Sequence, residues 1–246
     1  MVKRSKCFFL SSSTTQVFLI FTIGLLMRII WVVSAPDNLS WDEPTFDELA
    51  HNLLVMRRLA FSHGAYMTAV PNEPTSFEEP LYPLCLATVY LLFGDGNYLM
   101  ARIISALLSA VTGVIFYWIA LQLFGRSAAL VAGCFIAVYP PLVYFTGLLM
   151  SETLFIFLES LVIALAYLSV RGPSVKINVA LGITFALACL TRSVLLGFLP
   201  VFLAWMWSAI LDKENVRKTI AITGISALLT IAPWTLRNFL VHREFG

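Results

Sequence analysis

Apolar runs of membrane-spanning length recur along this 246-residue chain and constrain its fold more than any other feature. A helix needs about 20 apolar residues to cross the roughly 30 Å hydrocarbon layer of a bilayer. Of all residues, 59% are hydrophobic and only 12% are charged, and the runs lack the alternation of barrel strands. The sequence therefore predicts an all-α polytopic membrane protein. About seven spans are predicted, at residues 17–35, 98–124, 128–144, 153–170, 177–190, 194–211 and 219–236.

These spans divide a single transmembrane domain, residues 1–246, into four stretches. The first span covers 17–35, a long connection covers 36–97, the remaining spans cover 98–236, and 237–246 begins a further segment outside the membrane. After Pro44, apolar residues recur at steps of three and four, which predicts an amphipathic helix on the bilayer surface. The run 83–93 is too short to cross and predicts a second interfacial helix.

The distribution of Lys and Arg predicts the orientation, because positive residues in short loops tend to stay on the cytoplasmic side. Alternating spans place four basic segments on one side: the N-terminus with Lys3, Arg4 and Lys6, then Arg126, then the loops 171–176 and 213–218. We therefore expect a multi-pass integral membrane protein with a cytoplasmic N-terminus. The opposite side, whether periplasmic, extracellular or luminal, should carry residues 36–97, 145–151, 191–192 and 237–246.

Carboxylates concentrate in the first connection, where eight of the 14 acidic residues, Asp37 among them, lie between positions 37 and 79. Asp42, in the segment Trp41-Asp42-Glu43-Pro44, is expected at the membrane boundary, at the start of the helix that Pro44 opens. The structural interpretation is that Asp42 is an N-cap and the other acids are a solvated face. Glu152 is predicted at the outer end of the fourth span, so two carboxylates would face one compartment.

Four arginines lie in the outer halves or at the outer ends of their spans, where the positive-inside rule does not favour them. Arginine binds phosphate in bidentate fashion and stays charged when partly dehydrated. Snorkelling, or pairing with a local acid, is the alternative for each arginine taken alone. As a set they favour a lipid phosphate headgroup as the ligand; they are Arg28, Arg102, Arg192 and Arg237.

Several short segments, taken in their order along the chain, resemble the GT-C superfamily of membrane glycosyltransferases that use polyprenyl-phosphate sugars. The likeness is to the branch of the protein O-mannosyltransferases and the lipid A aminoarabinose transferases. It is carried by Asp42-Glu43, by Phe77-Glu78-Glu79-Pro80-Leu81-Tyr82-Pro83, by the Arg102 helix that ends in Leu123-Phe124-Gly125, by Ser151-Glu152, and by Ala232-Pro233-Trp234-Thr235-Leu236-Arg237-Asn238.

The resemblance implies a GT-C-like helix bundle in which Asp42 is the general base for an acceptor hydroxyl and Glu152 is a second functional acid. Inversion at the anomeric carbon is implied as well, with the lipid-linked donor in a groove at the outer leaflet. A carboxylate would take the acceptor proton while cationic groups stabilise the departing lipid phosphate. The partners so implied are membrane lipids, a polyprenyl-phosphate sugar donor, and an acceptor that is a lipid, a glycan or a protein.

The same resemblance implies a wider set of substrate-binding residues. In some members the acid at the position of Glu78 contacts a metal or the acceptor, so a divalent metal is compatible with the site and no other cofactor is expected. Histidines His51 and His63 have no ligand spacing that would predict a metal centre. The substrate-binding candidates are Glu43, Glu78, Tyr82, Arg102, Arg192 and Arg237.

Two features depart from the family. Many relatives have a basic residue before paired prolines, where this chain has Glu79 followed by Pro80-Leu81, so a phosphate contact from lysine is missing there. The likeness also covers only the N-terminal portion of such enzymes. We therefore expect this chain to be part of a longer enzyme, or a short relative that works with a C-terminal half or a partner subunit.

Two other classes of function remain open from the sequence. A transporter or flippase for a lipid-linked or anionic solute would also use Arg and Glu inside the membrane, although no inverted repeat is detectable. A non-catalytic subunit would account for the short length. The net charge of +2 gives no reason to expect nucleic acid as a partner.

Overall fold

The computed structural model describes residues 3–36, 38–62, 70–210 and 212–242, with the side chains of 3–13 and 213 left out of the description. Asp37 and His63, both named above, lie outside the described residues. The helices of the described part are α1 Lys3–Ser34, α2 Glu43–Met56, α3 Leu81–Phe93, α4 Tyr98–Phe124, α5 Arg126–Val138, α6 Pro140–Tyr144, the 3₁₀ turn Phe145–Gly147, α7 Glu152–Arg171, α8 Val175–Cys189, α9 Val194–Ala209 and α10 Lys213–His242.

The all-α prediction is confirmed, and each predicted span lies on a helix or on a bent pair of helices. Four helical stretches are long and apolar enough to cross a bilayer: Thr14–Ser34, Tyr98–Phe124, Glu152–Arg171 and Glu214–His242. A fifth crossing is obtained when α5 and the segment Pro140–Gly147 are taken together, with a bend of 47° between them. Helices α8 and α9 have only 15 and 16 residues, so the count of seven spans stays a prediction.

The chain divides into two compact units, each described here by itself. Unit 1 contains residues Met1–Leu39 and Tyr98–Ser160, and unit 2 contains Ser40–Asn97 and Leu161–Gly246. The prediction of a single transmembrane domain from residue 1 to 246 stays a prediction.

In unit 1, helix α1 packs against α4 and α5. The buried core there consists mainly of Ile20, Tyr117 and three alanines. Gly133 lets α5 approach closely, since a Cβ on it would come within 2.6 Å of Ile20 Cδ1. Small residues at helix contacts are the usual means of close packing in membranes, because lipid supplies no hydrophobic force between helices.

Arg28 holds the bend between α5 and α6 together. Its side chain is 0% exposed, and four of its five N–H groups donate to oxygen atoms of unit 1. Nη1 donates to the carbonyl of Ala137 at 2.7 Å and Nη2 to that of Ile136 at 3.1 Å. In a continuous helix these carbonyls would accept from the residues four positions later, which are Pro140 and Pro141 and have no N–H.

Arg28 therefore replaces the two donors that the prolines remove. Its remaining contacts are to the carbonyl of Gly24 at 2.9 Å and to Ser109 Oγ at 2.8 Å. The expectation that Arg28 belongs to a phosphate-binding set is wrong, because the fold uses its guanidinium group on backbone carbonyls. A buried arginine in a span is tolerated when its donors are satisfied in this way.

In unit 2, helix α8 packs most extensively against α10. A Cβ built on Gly182 of α8 would clash with Ser226 Oγ and with the carbonyl oxygen of Thr223, so only glycine fits at this crossing. Asn178 adds a buried polar contact between three helices. Its Oδ1 accepts from Ser169 Oγ at 2.7 Å, and its Nδ2 donates to Thr219 Oγ1 at 3.2 Å.

Candidate active site

Helix α2 begins with a side chain that binds back to the preceding turn. Glu43 is fully buried, and its Oε2 accepts from the backbone N–H of Ser40 at 2.8 Å and from Ser40 Oγ at 3.0 Å. The spacing S-x-x-E is that of a capping box. Between them, Trp41 adopts a left-handed backbone conformation with φ of 57° and is 80% exposed. These contacts use Oε2 of Glu43 to hold the start of α2, and the substrate-binding role of Glu43 stays a prediction.

Asp42 occupies the N-cap position of α2, as the sequence predicts, but its side chain makes no capping hydrogen bond. Only its backbone carbonyl takes part, accepting from the N–H groups of Thr45 and Phe46. The carboxylate is exposed and has no hydrogen bond or ion pair with any residue that the structure describes. Of the two neighbouring acids, Asp42 is thus the one whose carboxylate is available for chemistry.

Three side-chain pairs hold α2 on α3 and its following turn, which makes α2 a firm support for Asp42. The ring of Phe46 meets that of Tyr82 edge to face at 5.0 Å. Tyr90 Oη donates to Asp47 Oδ1 at 2.6 Å, and His51 Nδ1 lies 2.6 Å from Asp95 Oδ2. Tyr82 is only 7% exposed, so its ring is largely used in packing, and its predicted contact with substrate stays a prediction.

After α2, residues 59–61 pair in antiparallel fashion with residues 72–75. This pairing brings the residues that follow toward the end of α10. Thr75 N–H donates to the carbonyl of Leu59 at 2.8 Å, and Asn72 N–H donates to that of Phe61 at 2.6 Å. This short antiparallel pairing includes a bridge between Ala60 and Pro74. It sets the position of Thr75 and the residues that follow.

Arg237, in α10, is fixed by those residues. Its Nη1 donates to the carbonyl of Thr75 at 2.9 Å and to Ser76 Oγ at 3.0 Å. Its guanidinium carbon lies 4.9 Å from the centre of the Trp234 ring, a cation–π geometry. Ser76 Oγ also lies within hydrogen-bonding distance of Asn238 and of His242. The first connection and the end of α10 therefore contact each other within unit 2.

The turn between α8 and α9 joins the same region. Glu79 Oε1 accepts from the N–H of Ser193 at 2.8 Å, and Leu81 N–H donates to the carbonyl of Leu190 at 3.0 Å. Arg192 lies in this turn, half-buried. The Glu79 carboxylate thus accepts from a backbone N–H at the start of α9. Glu78 lies between this contact and the one at Ser76, and it is also half-buried.

A pocket of about 320 Å³ opens beside Arg237. Three arginines line it, and two of them, Arg57 and Arg58, were not among the residues predicted from the sequence. A signal for them existed: they are adjacent basic residues in the connection that the positive-inside rule assigns to the outer side. The other lining residues are apolar: Leu53, Leu59, Pro74, Pro80, Leu84, Trp234 and Val241.

The remaining predicted site residues lie in unit 1. Arg102 is buried in α4, and Glu152 is the first residue of α7 and is half-buried. Both make contacts within the described structure. The predicted residues of unit 2 are Asp42, Glu43, Glu78, Tyr82, Arg192 and Arg237. No group of three or more His, Cys, Asp or Glu side chains that could hold a metal ion occurs within residues 3–36, 38–62, 70–210 and 212–242.

The long apolar helices of the described residues define a polytopic α-helical membrane protein. The family model for dolichyl-phosphate-mannose-protein mannosyltransferase matches residues 72–236 of this chain, so the chain belongs to that family. This family supports a membrane glycosyltransferase of the GT-C kind. No curated protein and no solved structure matches it. Asp42, Glu43 and Arg237 lie outside the matched residues.

Proposed function

We propose that this chain moves a sugar from a polyprenyl-phosphate donor to an acceptor hydroxyl, with inversion at the anomeric carbon, and that Asp42 is the general base. The observation that carries the proposal is the state of the two acids at the start of α2. Glu43 is buried and bound to Ser40, whereas the neighbouring carboxylate of Asp42 is exposed and makes no bond within the described residues.

The proposed step is a single displacement. The acceptor oxygen attacks the anomeric carbon while the bond from that carbon to the phosphate oxygen breaks. The acceptor proton passes to the Asp42 carboxylate, and the electron pair of the broken bond leaves with the lipid phosphate. A base on an anchored helix is held at a constant position during this transfer.

Cationic groups assist the step by stabilising the departing phosphate. The substrate-binding residues in this proposal are Arg102, Arg192, Arg237, Glu43, Glu78 and Tyr82, with Glu152 as a second functional acid. Among the arginines, Arg237 has an oriented guanidinium group, because its Nη1 donates to the carbonyl of Thr75 and to Ser76 Oγ. We further propose that the site faces the non-cytoplasmic side of the membrane, because the Lys and Arg distribution places the connection 36–97 there.

The test is transfer of labelled sugar from a polyprenyl-phosphate donor pool in membranes that carry the chain. Asp42→Asn should lower the rate by about 10²- to 10⁴-fold, the usual contribution of a general base. Glu73→Gln is the matched control, because Glu73 is an exposed acid of the same connection and should leave the rate unchanged. Transfer that survives in the Asp42→Asn membranes, or that is absent from wild-type membranes, contradicts the proposal.

A further inference from the structure

The pocket beside Arg237 has the charge of an anion site. Arg57, Arg58 and Arg237 line it, and no acidic residue is among the lining side chains. Arg57 and Arg58 make no hydrogen bond or ion pair within the part of the chain that the structure describes. Two adjacent guanidinium groups repel each other, and a bound anion removes that cost. The positive charge at this place is thus not compensated by the fold.

The backbone at Arg57, beside this pocket, adopts an uncommon conformation. Arg57 ends α2 in the left-handed conformation, with φ of 58° and ψ of 28°, a region that favours glycine or asparagine. Holding a bulky residue there costs about 1 kcal/mol or more. Because α2 stops at this turn, two successive arginine side chains emerge beside the pocket.

Arg237 offers a prepared pair of donors. All of its hydrogen bonds to described residues use Nη1, which is held by Thr75, Ser76 and Asn238. The other edge of the guanidinium group, Nε with Nη2, has no acceptor among the described residues. That edge has the fork geometry that binds two oxygens of a phosphate. The Trp234 ring, 4.9 Å below the guanidinium carbon, further restricts its orientation.

The rest of the pocket is apolar, which points to a ligand with a hydrocarbon part. Seven lining residues carry no polar side-chain atom except the indole N–H of Trp234. Leu53 and Leu84 come from the two interfacial helices, and Val241 comes from the last turns of α10. The volume of about 320 Å³ is at the lower end of small-molecule sites, so it suits a headgroup with the first part of a chain.

We propose that this pocket binds the phosphate group of an isoprenoid lipid phosphate, held by Arg57, Arg58 and the Nε–Nη2 edge of Arg237, with the first isoprene units against the apolar wall. The assignment rests on the proposed function for its ligand class. It adds Arg57 and Arg58, which neither the sequence motifs nor the family match single out.

The experiment measures binding without turnover, using the full chain purified into lipid nanodiscs. The probes are undecaprenyl phosphate, undecaprenol, which lacks the phosphate, and inorganic phosphate. Undecaprenyl phosphate should bind at least about 10-fold more tightly than either other probe. Equal binding of undecaprenol would show that the headgroup is not recognised, and equal binding of inorganic phosphate would show that the ligand is the free ion; either result overturns the proposal.

The variant Arg57→Gln/Arg58→Gln should weaken binding of undecaprenyl phosphate by about 10- to 100-fold, the loss expected for one or two charge-assisted hydrogen bonds. Arg57→Lys/Arg58→Lys should recover part of that affinity. Arg171→Gln is the control, since Arg171 is an exposed arginine remote in sequence from the pocket. A melting profile of each protein shows that it is folded. Unchanged binding by the folded Gln variant overturns the site.

The same measurement separates this site from the proposed function. Asp42→Asn should bind undecaprenyl phosphate as well as the wild type does, because Asp42 does not line the pocket. If the chain binds the lipid phosphate through Arg57 and Arg58 but transfers no sugar, the site stands and the glycosyltransferase proposal fails. If transfer proceeds normally in the Gln variant, the enzyme proposal stands and the pocket assignment fails.

Discussion

Replacing Arg28 with leucine should destabilise unit 1 strongly, and the structure gives the size of the effect. The substitution removes the donors to the carbonyls of Ile136 and Ala137, which Pro140 and Pro141 cannot replace. A buried carbonyl without a donor costs about 1–3 kcal/mol. Two such groups give an expected loss of about 2–6 kcal/mol.

Some of this loss is offset, because leucine avoids the burial of a charged group. Arg28→Lys should fall between leucine and wild type, since one ammonium group cannot reproduce the fork that contacts both carbonyls. Gly24 keeps its own helical partner in either variant, so its contact adds little to the difference.

The assay is thermal unfolding of the purified chain in detergent, followed by loss of the monodisperse fraction. Arg126→Leu serves as the control, because Arg126 is an exposed arginine of the same unit whose Nε donates to Gln16 Oε1 at 3.2 Å. The reasoning about the broken helix is refuted if Arg28→Leu melts with the wild type and the control, or if Arg28→Lys restores full stability.

Three further outcomes follow from the packing. Gly182→Leu should prevent the close approach of α8 and α10 at Ser226 and should lower stability by about 1–3 kcal/mol or more. The measurement is the midpoint of thermal unfolding. Gly224→Leu is the control, because a Cβ at Gly224 meets open space. Asn178→Leu should cost about 1–2 kcal/mol in the same assay, because buried hydroxyls lose their partner, and an unchanged midpoint would contradict the network. Glu43→Ala should speed proteolysis at the start of α2 by removing the contact to Ser40, whereas Asp42→Ala should not.

The helical architecture could be predicted from the sequence because the apolar runs are long and lack the alternation of strands. The exception is the run 128–144, predicted as one span, where the structure bends by 47° at Tyr139. Pro140 and Pro141 were a visible signal for that bend. The use of Arg28 was not predictable, because its partners Ile136 and Ala137 are 108 and 109 residues away in the chain.

The candidate site was predictable in part. Asp42 is found at the start of a helix that docks on the next one, and Arg237 lies against the first connection. Arg57 and Arg58 were missed because their importance depends on a pocket whose far wall, Trp234 and its neighbours, comes from the other end of the chain. Periodicity shows which face of a helix is apolar, but it does not show which remote segment closes over its end.

The central claim is that the chain transfers a sugar from a lipid phosphate with Asp42 as the base. The most direct measurement uses the purified chain in vesicles with a polyprenyl-phosphate sugar, and follows release of polyprenyl phosphate together with the anomeric configuration of the product by NMR. We expect product and lipid phosphate in equal amounts, inverted configuration, and both signals lost in Asp42→Asn. Retained configuration, or equal release by the Asp42→Asn protein, would contradict the account.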